Sequence, residues 1–397
     1  MREIDLGDLR FGEGAHLLVK RVLSSVPVGE EIGVRGQAPD LDVHLEAWAR
    51  AEGHRFRASA EAGGFYLQRG SAESSRWQGA ERAGDPDPQK PGGVLEHPPR
   101  RWGLAARGAT VEAGAPEFSF QLAEKSQVWA EEAVRLYGQA VAAQWDPNTA
   151  VPWSAQFDLP EEIEDAVVQL MTYLIENEAA ALIVPSRFVA QLHPHFREVM
   201  QLLAVQAADE ARHVEVFTRR ALLKRDRLGL STAGGQTSLK TLVDEPDFAI
   251  ASFLLSVMGE GTFLTLLRFL ERYAPDPITQ AITRLAANDE ARHVAFGVAH
   301  LRESVKSNPA LLGELAQAVH RRHDALRHTA GLNQEVLDAL ILLAAGGWEH
   351  EALRQGSRRV AQLLHDMDLG RRSQLTRIGF EESQATALSA LHTRNFM

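Results

Sequence analysis

The spacing of hydrophobic positions along this chain changes character near residue 118. Over residues 1–70, short runs alternate between period two and period 3.6. Glu3–Leu6 reads as a strand, and Leu17, Val19, Val22 and Leu23 mark one stripe of a helix. Glu31–Val34 returns to period two, and Leu41, Val43, Leu45 and Trp48 mark a second helix. Arg55–Ala60 and Phe65–Gln68 read as a hairpin turning at Gly63–Gly64. The order is βαβαββ, a small α+β domain. Residues 71–117 hold DPDPQKPGG and EHPPRR, too little apolar surface to fold alone, and are expected to be a linker. From Phe118 onward the patterns are almost entirely helical, so 118–397 is expected to be a second, helical domain.

Two helix pairs stand out there. One starts near Pro160-Glu161-Glu162, turns around Leu192–His195 and continues through residue 217. The other starts near Pro246-Asp247 and turns around Ala274–Pro277. Between them, Lys224–Glu245 breaks the helical pattern at Leu228-Gly229, Gly234-Gly235 and Ser238. A single long crossover of this kind joins the two hairpins of a ferritin-like four-helix bundle. Further helices are expected at Leu311–Leu326, Gln334–Leu343, Glu349–Met367 and Glu381–Leu391.

The hexapeptide Asp-Glu-Ala-Arg-His-Val occurs twice, at 209–214 and 289–294, each time late in a helical pattern. Leu203, Gln206, Glu210, His213, Val214 and Phe217 share one face of the first helix. Thr283, Ala286, Glu290, His293, Val294 and Gly297 share one face of the second. In Glu-x-x-His, residues i and i+3 lie on one face about one turn apart, so a carboxylate and an imidazole grip the same cation. A bundle site for two metals needs one further glutamate from each remaining helix. Glu178 and Glu260 supply them, each in the middle of an apolar face where a lone carboxylate is costly. Glu176 lies about 200° around the helix from Glu178, and the apolar face selects Glu178. Glu178 falls 14 residues before the first turn and Glu210 15 after it; Glu260 falls 14 before the second and Glu290 13 after it. At ~1.5 Å per residue all four sit at nearly one height. The expected metal set is therefore Glu178, Glu210, His213, Glu260, Glu290 and His293, whose four carboxylates offset two divalent cations.

Composition narrows the metal and the chemistry. The 397 residues contain no cysteine, which excludes disulfides, thiol catalysis and Cys-bound zinc or iron–sulfur clusters. His, Asp and Glu suit iron or manganese. With 42 basic and 53 acidic residues the net charge is −11, and no basic stripe points to nucleic acid. No apolar run reaches the length of a membrane span, and MREIDLGDLR lacks the apolar core of a signal peptide. No membrane partner and a cytoplasmic location are the corresponding expectations.

With these residues in hand, residues 118–397 resemble the ferritin-like di-iron carboxylate proteins. The Asp-Glu-x-Arg-His form is similar to their oxygen-activating branch: bacterial multicomponent monooxygenase hydroxylases, acyl-carrier desaturases and p-aminobenzoate N-oxygenase. AAQWDPNTAVPW (142–153) and the C-terminal LHTRNFM resemble the N-oxygenase-related group. The resemblance implies two iron ions, with manganese or a mixed pair as alternatives. It also implies O2 and a small organic substrate as partners, and an electron donor. Asp209 and Asp289 would by the same resemblance orient the ligand histidines, across the bundle or within a helix, with Arg212 and Arg292 holding the aspartates. Some subtypes are set aside by absence. Leu182, not Tyr, stands one turn after Glu178, and no Cys is present for a rubrerythrin-type iron. Leu264 replaces the hydroxylases' Thr, and Ala286 replaces the extra His of the N-oxygenases. Oxygenation, N-oxygenation and desaturation stay open. The rival reading is a storage or sensing protein for iron or manganese, but the extra C-terminal helices are available for a substrate pocket or a homodimer interface.

Residues 1–70 resemble the TusA/SirA-type sulfur-carrier fold, through LVKRVLSSVPVGEEIGVRGQAPDLDVHLEAWARAEGHRF and its Gly53-His54 step. Where that family carries its active cysteine, this chain reads Phe11-Gly12-Glu13-Gly14. No persulfide can form, and a docking or structural role is expected. Other residues are read as follows. Gly259 and Gly261 either leave room for O2 or substrate, mark a π-bulge, or permit close packing. Gln206 lines a pocket or is a core amide, His300 has a core or surface role, and Trp145 and Trp153 are packing residues.

Overall fold

The computed structural model describes residues 2–59, 64–71, 77, 79–327 and 334–391. Ala60 and Gly63 of the expected hairpin, and the terminal HTRNFM, lie outside them. The chain divides into two compact units, Met1–Pro86 with Arg101–Phe118, and Asp87–Arg100 with Ser119–Met397. Residues 71–117, expected as a linker, are shared between the two.

In the first unit, period-two runs become strands β1 (Arg2–Asp5), β2 (Glu31–Arg35), β3 (Arg55–Ala58) and β4 (Gly64–Gln68). Helices α1 (Ala15–Leu23) and α2 (Leu41–Ala51) intervene. The sheet order is β1-β2-β4-β3, with β1 and β2 parallel and the other pairs antiparallel. Ile32, Val34 and Leu67 of the sheet pack with Ala15, Val19 and Leu23 of α1 and Leu41, Leu45 and Ala49 of α2. Leu17 and Val43, assigned to the apolar stripes, are each 60% exposed, because Ala15 and Ala49 complete the true stripes instead. A two-residue ladder, β5 (Glu81–Arg82) with β6 (Thr110–Val111), completes the described part of this unit.

The second unit is the bundle. After a short α3 (Lys125–Val128) and α4 (Ala133–Ala142), residues 143–160 run without helix where helix was expected. Pro147, Pro152 and Pro160 cannot continue one. Helices α5 (Glu161–Val189) and α6 (Arg197–Ala221) then form the first hairpin. The crossover carries a helix of its own, α7 (Ala233–Val243), against the expectation of a broken pattern. Thr232 caps it by accepting from Gly235 N, and Gly234, Gly235 and Ser238 are buried. Tertiary packing of a small-residue face overrides their weak helix propensity. The Arg187 guanidinium of α5 donates to the Val243 and Glu245 carbonyls, fastening the crossover's end.

The second hairpin joins α8 (Phe248–Tyr273) and α9 (Pro277–Ser307). Asp247 caps α8 through Ile250 N at 2.9 Å, and Asp276 caps α9 through Ile278 N and Thr279 N at 2.9 and 2.8 Å. From Phe253 to Glu260, α8 is wound as a π-helix, every residue of it buried. Opposite it Gly297 of α9 approaches so closely that an added Cβ would lie 2.4 Å from Ser256 Cβ. Then come α10 (Leu311–Leu326), α11 (Gln334–Ala345), α12 (His350–Ile378) and α13 (Glu382–Ala390). Helix α12 outruns its expected end at Met367 because Arg371, Leu375 and Ile378 prolong its buried stripe. Helices α5 and α8 are long and apolar enough to cross a membrane by length and composition, against the expectation that no apolar run reaches that length, because a few polar residues interrupt otherwise apolar stretches. In the structure 67% and 89% of their most apolar windows are buried.

Candidate metal centre

Four helices deliver the six residues to one place. Glu178 comes from α5, Glu210 and His213 from α6, Glu260 from the end of the π segment of α8, and Glu290 and His293 from α9. All are buried, none more than 3% exposed. They form two overlapping clusters, Glu178, Glu210, His213 and Glu290, and Glu210, Glu260, Glu290 and His293. Within each cluster one donor atom per residue lies within 4.8 Å of the others. Glu210 and Glu290 belong to both. Glu178 thus turns inward, while Glu176 lines a small separate cavity beside Tyr173 and Asn177.

Both imidazoles present Nδ1 to the carboxylates. His213 Nδ1 is 3.1 Å from Glu210 and 3.5 Å from Glu178 and from Glu290. His293 Nδ1 is 3.0 Å from Glu210 and 3.4 Å from Glu290. Their Nε2 atoms face away, to aspartates of the opposite repeat. His213 Nε2 meets Asp289 at 3.2 Å, and His293 Nε2 meets Asp209 at 3.2 Å. Each copy of the hexapeptide orients the histidine of the other. A carboxylate on Nε2 favours the tautomer with its proton there and leaves the Nδ1 lone pair for a cation.

The aspartates are themselves held. Arg212 bonds Asp209 and lies 3.1 Å from Asp289; Arg292 bonds Asp289 and lies 3.7 Å from Asp209. Two residues of the non-helical stretch complete the frame. Gln144 Nε2 donates to Asp209 at 2.8 Å and its Oε1 accepts from Arg212 at 2.8 Å. Trp145 Nε1 donates to Asp289 at 2.8 Å, and its ring lies under Arg212. Trp145, read from sequence as a packing residue, therefore also bonds an aspartate. Trp153 donates to the Pro147 carbonyl and packs against Arg219, which pins the stretch to α6. Gln206 donates to Glu260 at 2.9 Å. Gln144 carries no periodic signal; only its place in the AAQWDPNTAVPW segment set it apart.

Electrostatics reflect this crowding of charge. Burial and the neighbouring Glu210 and Glu290 outweigh the pull of His213 and hold Glu178 well above the usual carboxylate range. Burial and Glu290 do the same to Glu260. Burial opposes charge on His213 and His293, yet the surrounding carboxylates outweigh it and raise both well above the ordinary histidine value. For Asp289 the His213 and Trp145 hydrogen bonds and Arg292 outweigh burial and keep the carboxyl low.

The donor set fits two cations. Glu178 Oε1, Glu210 Oε1, Glu260 Oε2 and both Glu290 oxygens have no hydrogen-bond partner, nor does His293 Nδ1, whose approach to Glu210 lacks hydrogen-bond geometry. Six buried polar atoms without partners, gathered in one volume, are costly unless something satisfies them. Carboxylate oxygens and imidazole nitrogens are the donors that iron and manganese take.

Fold and site together define a class: a ferritin-like helical bundle around a carboxylate–histidine cluster suited to two metals. Among solved structures, the chain is similar to an R2-like ligand-binding oxidase with aerobically reconstituted metal cofactor after photoconversion. The identity is 18%, with 64% of this chain and 94% of that one covered, at a TM-score of 0.43. A variant of that oxidase with an aerobically reconstituted Fe/Fe cofactor is 18% identical over the same shares, at 0.46. Another, with an anaerobically reconstituted Mn/Fe cofactor, is 20% identical over 64% and 93%, at 0.44. No protein-family model and no curated protein matches the sequence.

Proposed function

We propose that this chain is a di-metal oxidoreductase that uses O2 to oxidise a small organic substrate. The supporting observation is the pair of overlapping buried donor clusters that share Glu210 and Glu290. Two iron ions, or a manganese–iron pair, held there would supply redox equivalents and a place for O2 to bind. Glu178 with His213 would hold one ion and Glu260 with His293 the other, with Glu210 and Glu290 between them. The rest of the chain keeps that set in place. Asp289 and Asp209 fix the imidazole tautomers, Gln206 orients Glu260, and the apolar core around the cluster excludes water.

The test has two stages. Protein purified from iron-supplemented cells should carry close to two metal ions per chain, and Glu210→Ala should abolish that stoichiometry. Ferrous protein mixed with O2 should consume it and, with a suitable substrate and reductant, release oxidised product. Metal-free preparations after iron supplementation would overturn the reading. A large closed shell on gel filtration would instead favour iron or manganese storage.

A further inference from the structure

The C-terminal half of α8 and the middle of α12 flank an open cleft of about 460 Å3, in the range of small-molecule sites. It is lined by four arginines, Arg268 and Arg272 from α8 and Arg358 and Arg359 from α12. In a chain of net charge −11 this local excess of positive charge is out of character. None of the four has a carboxylate within ion-pair distance among the described residues. The one acid in the lining, Asp366, instead accepts from Gln362 at 2.8 Å. Two of the guanidiniums pack on the Tyr273 ring, Arg272 at 5.5 Å and Arg359 at 5.1 Å from its centroid. Arg359 also donates to the Ala344 carbonyl, which fixes its direction. Phe269 and Leu363, both buried, form an apolar floor.

Guanidiniums that line one cleft without carboxylate partners repel one another, weakly because all four residues are solvent-exposed, and an anion bound among them relieves that cost. Arginine's planar fork matches phosphate and carboxylate oxygens. We propose that this cleft binds a small molecule carrying a phosphate-like anion next to an apolar ring, the anion on the arginines and the ring over Phe269 and Leu363. The inference does not rest on the metal centre.

The experiment titrates the full chain calorimetrically at low ionic strength with phenyl phosphate and with inorganic phosphate. Phenyl phosphate should bind saturably and more tightly than inorganic phosphate, and added salt should weaken both. Arg268→Glu with Arg358→Glu should weaken phenyl phosphate by roughly tenfold or more. The charge-matched pair Arg21→Glu with Arg50→Glu, in the other unit, should leave it unchanged. If the charge reversal prevents folding, Arg268→Gln with Arg358→Gln reads the same way. Absence of saturable binding by either probe, or equal losses in cleft and control variants, overturns the proposal.

Discussion

Arg220 offers the sharpest test of how the bundle is held together. It is fully buried on the last turn of α6. Its guanidinium reaches Glu164 at 2.6 and 3.0 Å, Asp276 at 2.8 and 3.2 Å, and Thr279 at 2.9 Å. One side chain thereby ties the start of α5 and the cap of α9 to the end of α6, three of the four helices that carry the metal cluster. Arg220→Met keeps most of the aliphatic stem but strands two buried carboxylates. Removing one partner of a buried ion pair costs about 3–5 kcal/mol. Adding the individual charge-assisted hydrogen bonds would give more, but they share one guanidinium and are not additive. For a unit of this size each kcal/mol lowers the melting temperature by roughly 2–4 °C, so a drop of roughly 6–20 °C is expected. Scanning calorimetry of the full chain at neutral pH measures it. The deficit should shrink in Arg220→Met with Glu164→Gln, because one stranded charge is then gone. A loss below about 2 °C would mean the network is energetically idle and the reasoning is wrong.

Three further outcomes follow from the site and its packing. Glu178→Ala and Glu260→Ala should each lower metal content by about one ion per chain, whereas Glu290→Ala should lower it by nearly two; equal losses in all three would refute the sharing of Glu290 by both donor clusters. Metal should stabilise the protein more as pH rises. Glu178, Glu260, His213 and His293 have raised values in the metal-free fold, so their contribution is full at low pH and is lost as pH climbs through those values. Metal replaces protons that leave more easily at higher pH, so the gap in melting temperature between metal-loaded and metal-free protein should widen from pH 6 to 8.5, and a gap that narrows contradicts this. Gly297→Ala would push a methyl to 2.4 Å from Ser256 Cβ and should cost about 1–3 kcal/mol, checked by thermal melting; a neutral effect would show that the π segment of α8 yields freely.

Much of the arrangement is legible in the sequence. The repeat, the Glu-x-x-His spacing and the turn positions named all six residues that the structure brings together. They did so because helical spacing is a local property: residues three and four apart share a face wherever the helix lies. The starts of α5 and α8 were equally plain, since proline and aspartate act on their own backbone. The crossover helix α7 is not legible in the sequence, because its glycines argue against helix locally while its packing argues for it. The π winding of α8 was one of three readings of Gly259 and Gly261, and nothing in an isolated helix chooses among them.

What the sequence alone determined was the inventory and its periodicity: two helical hairpins, four carboxylates and two imidazoles at one depth, and no thiol to compete. What only the tertiary structure decided was who serves whom. Asp209 could as well have faced His213, four residues along its own helix, but packing of α6 against α9 sends it to His293 and sends Asp289 to His213. Gln144 and Trp145 reach aspartates 65 and 144 residues away, and Arg220 reaches carboxylates on two other elements. Such contacts depend on the rotation and height of one helix against another, which arise from the summed burial of many apolar side chains and are written in no single local pattern.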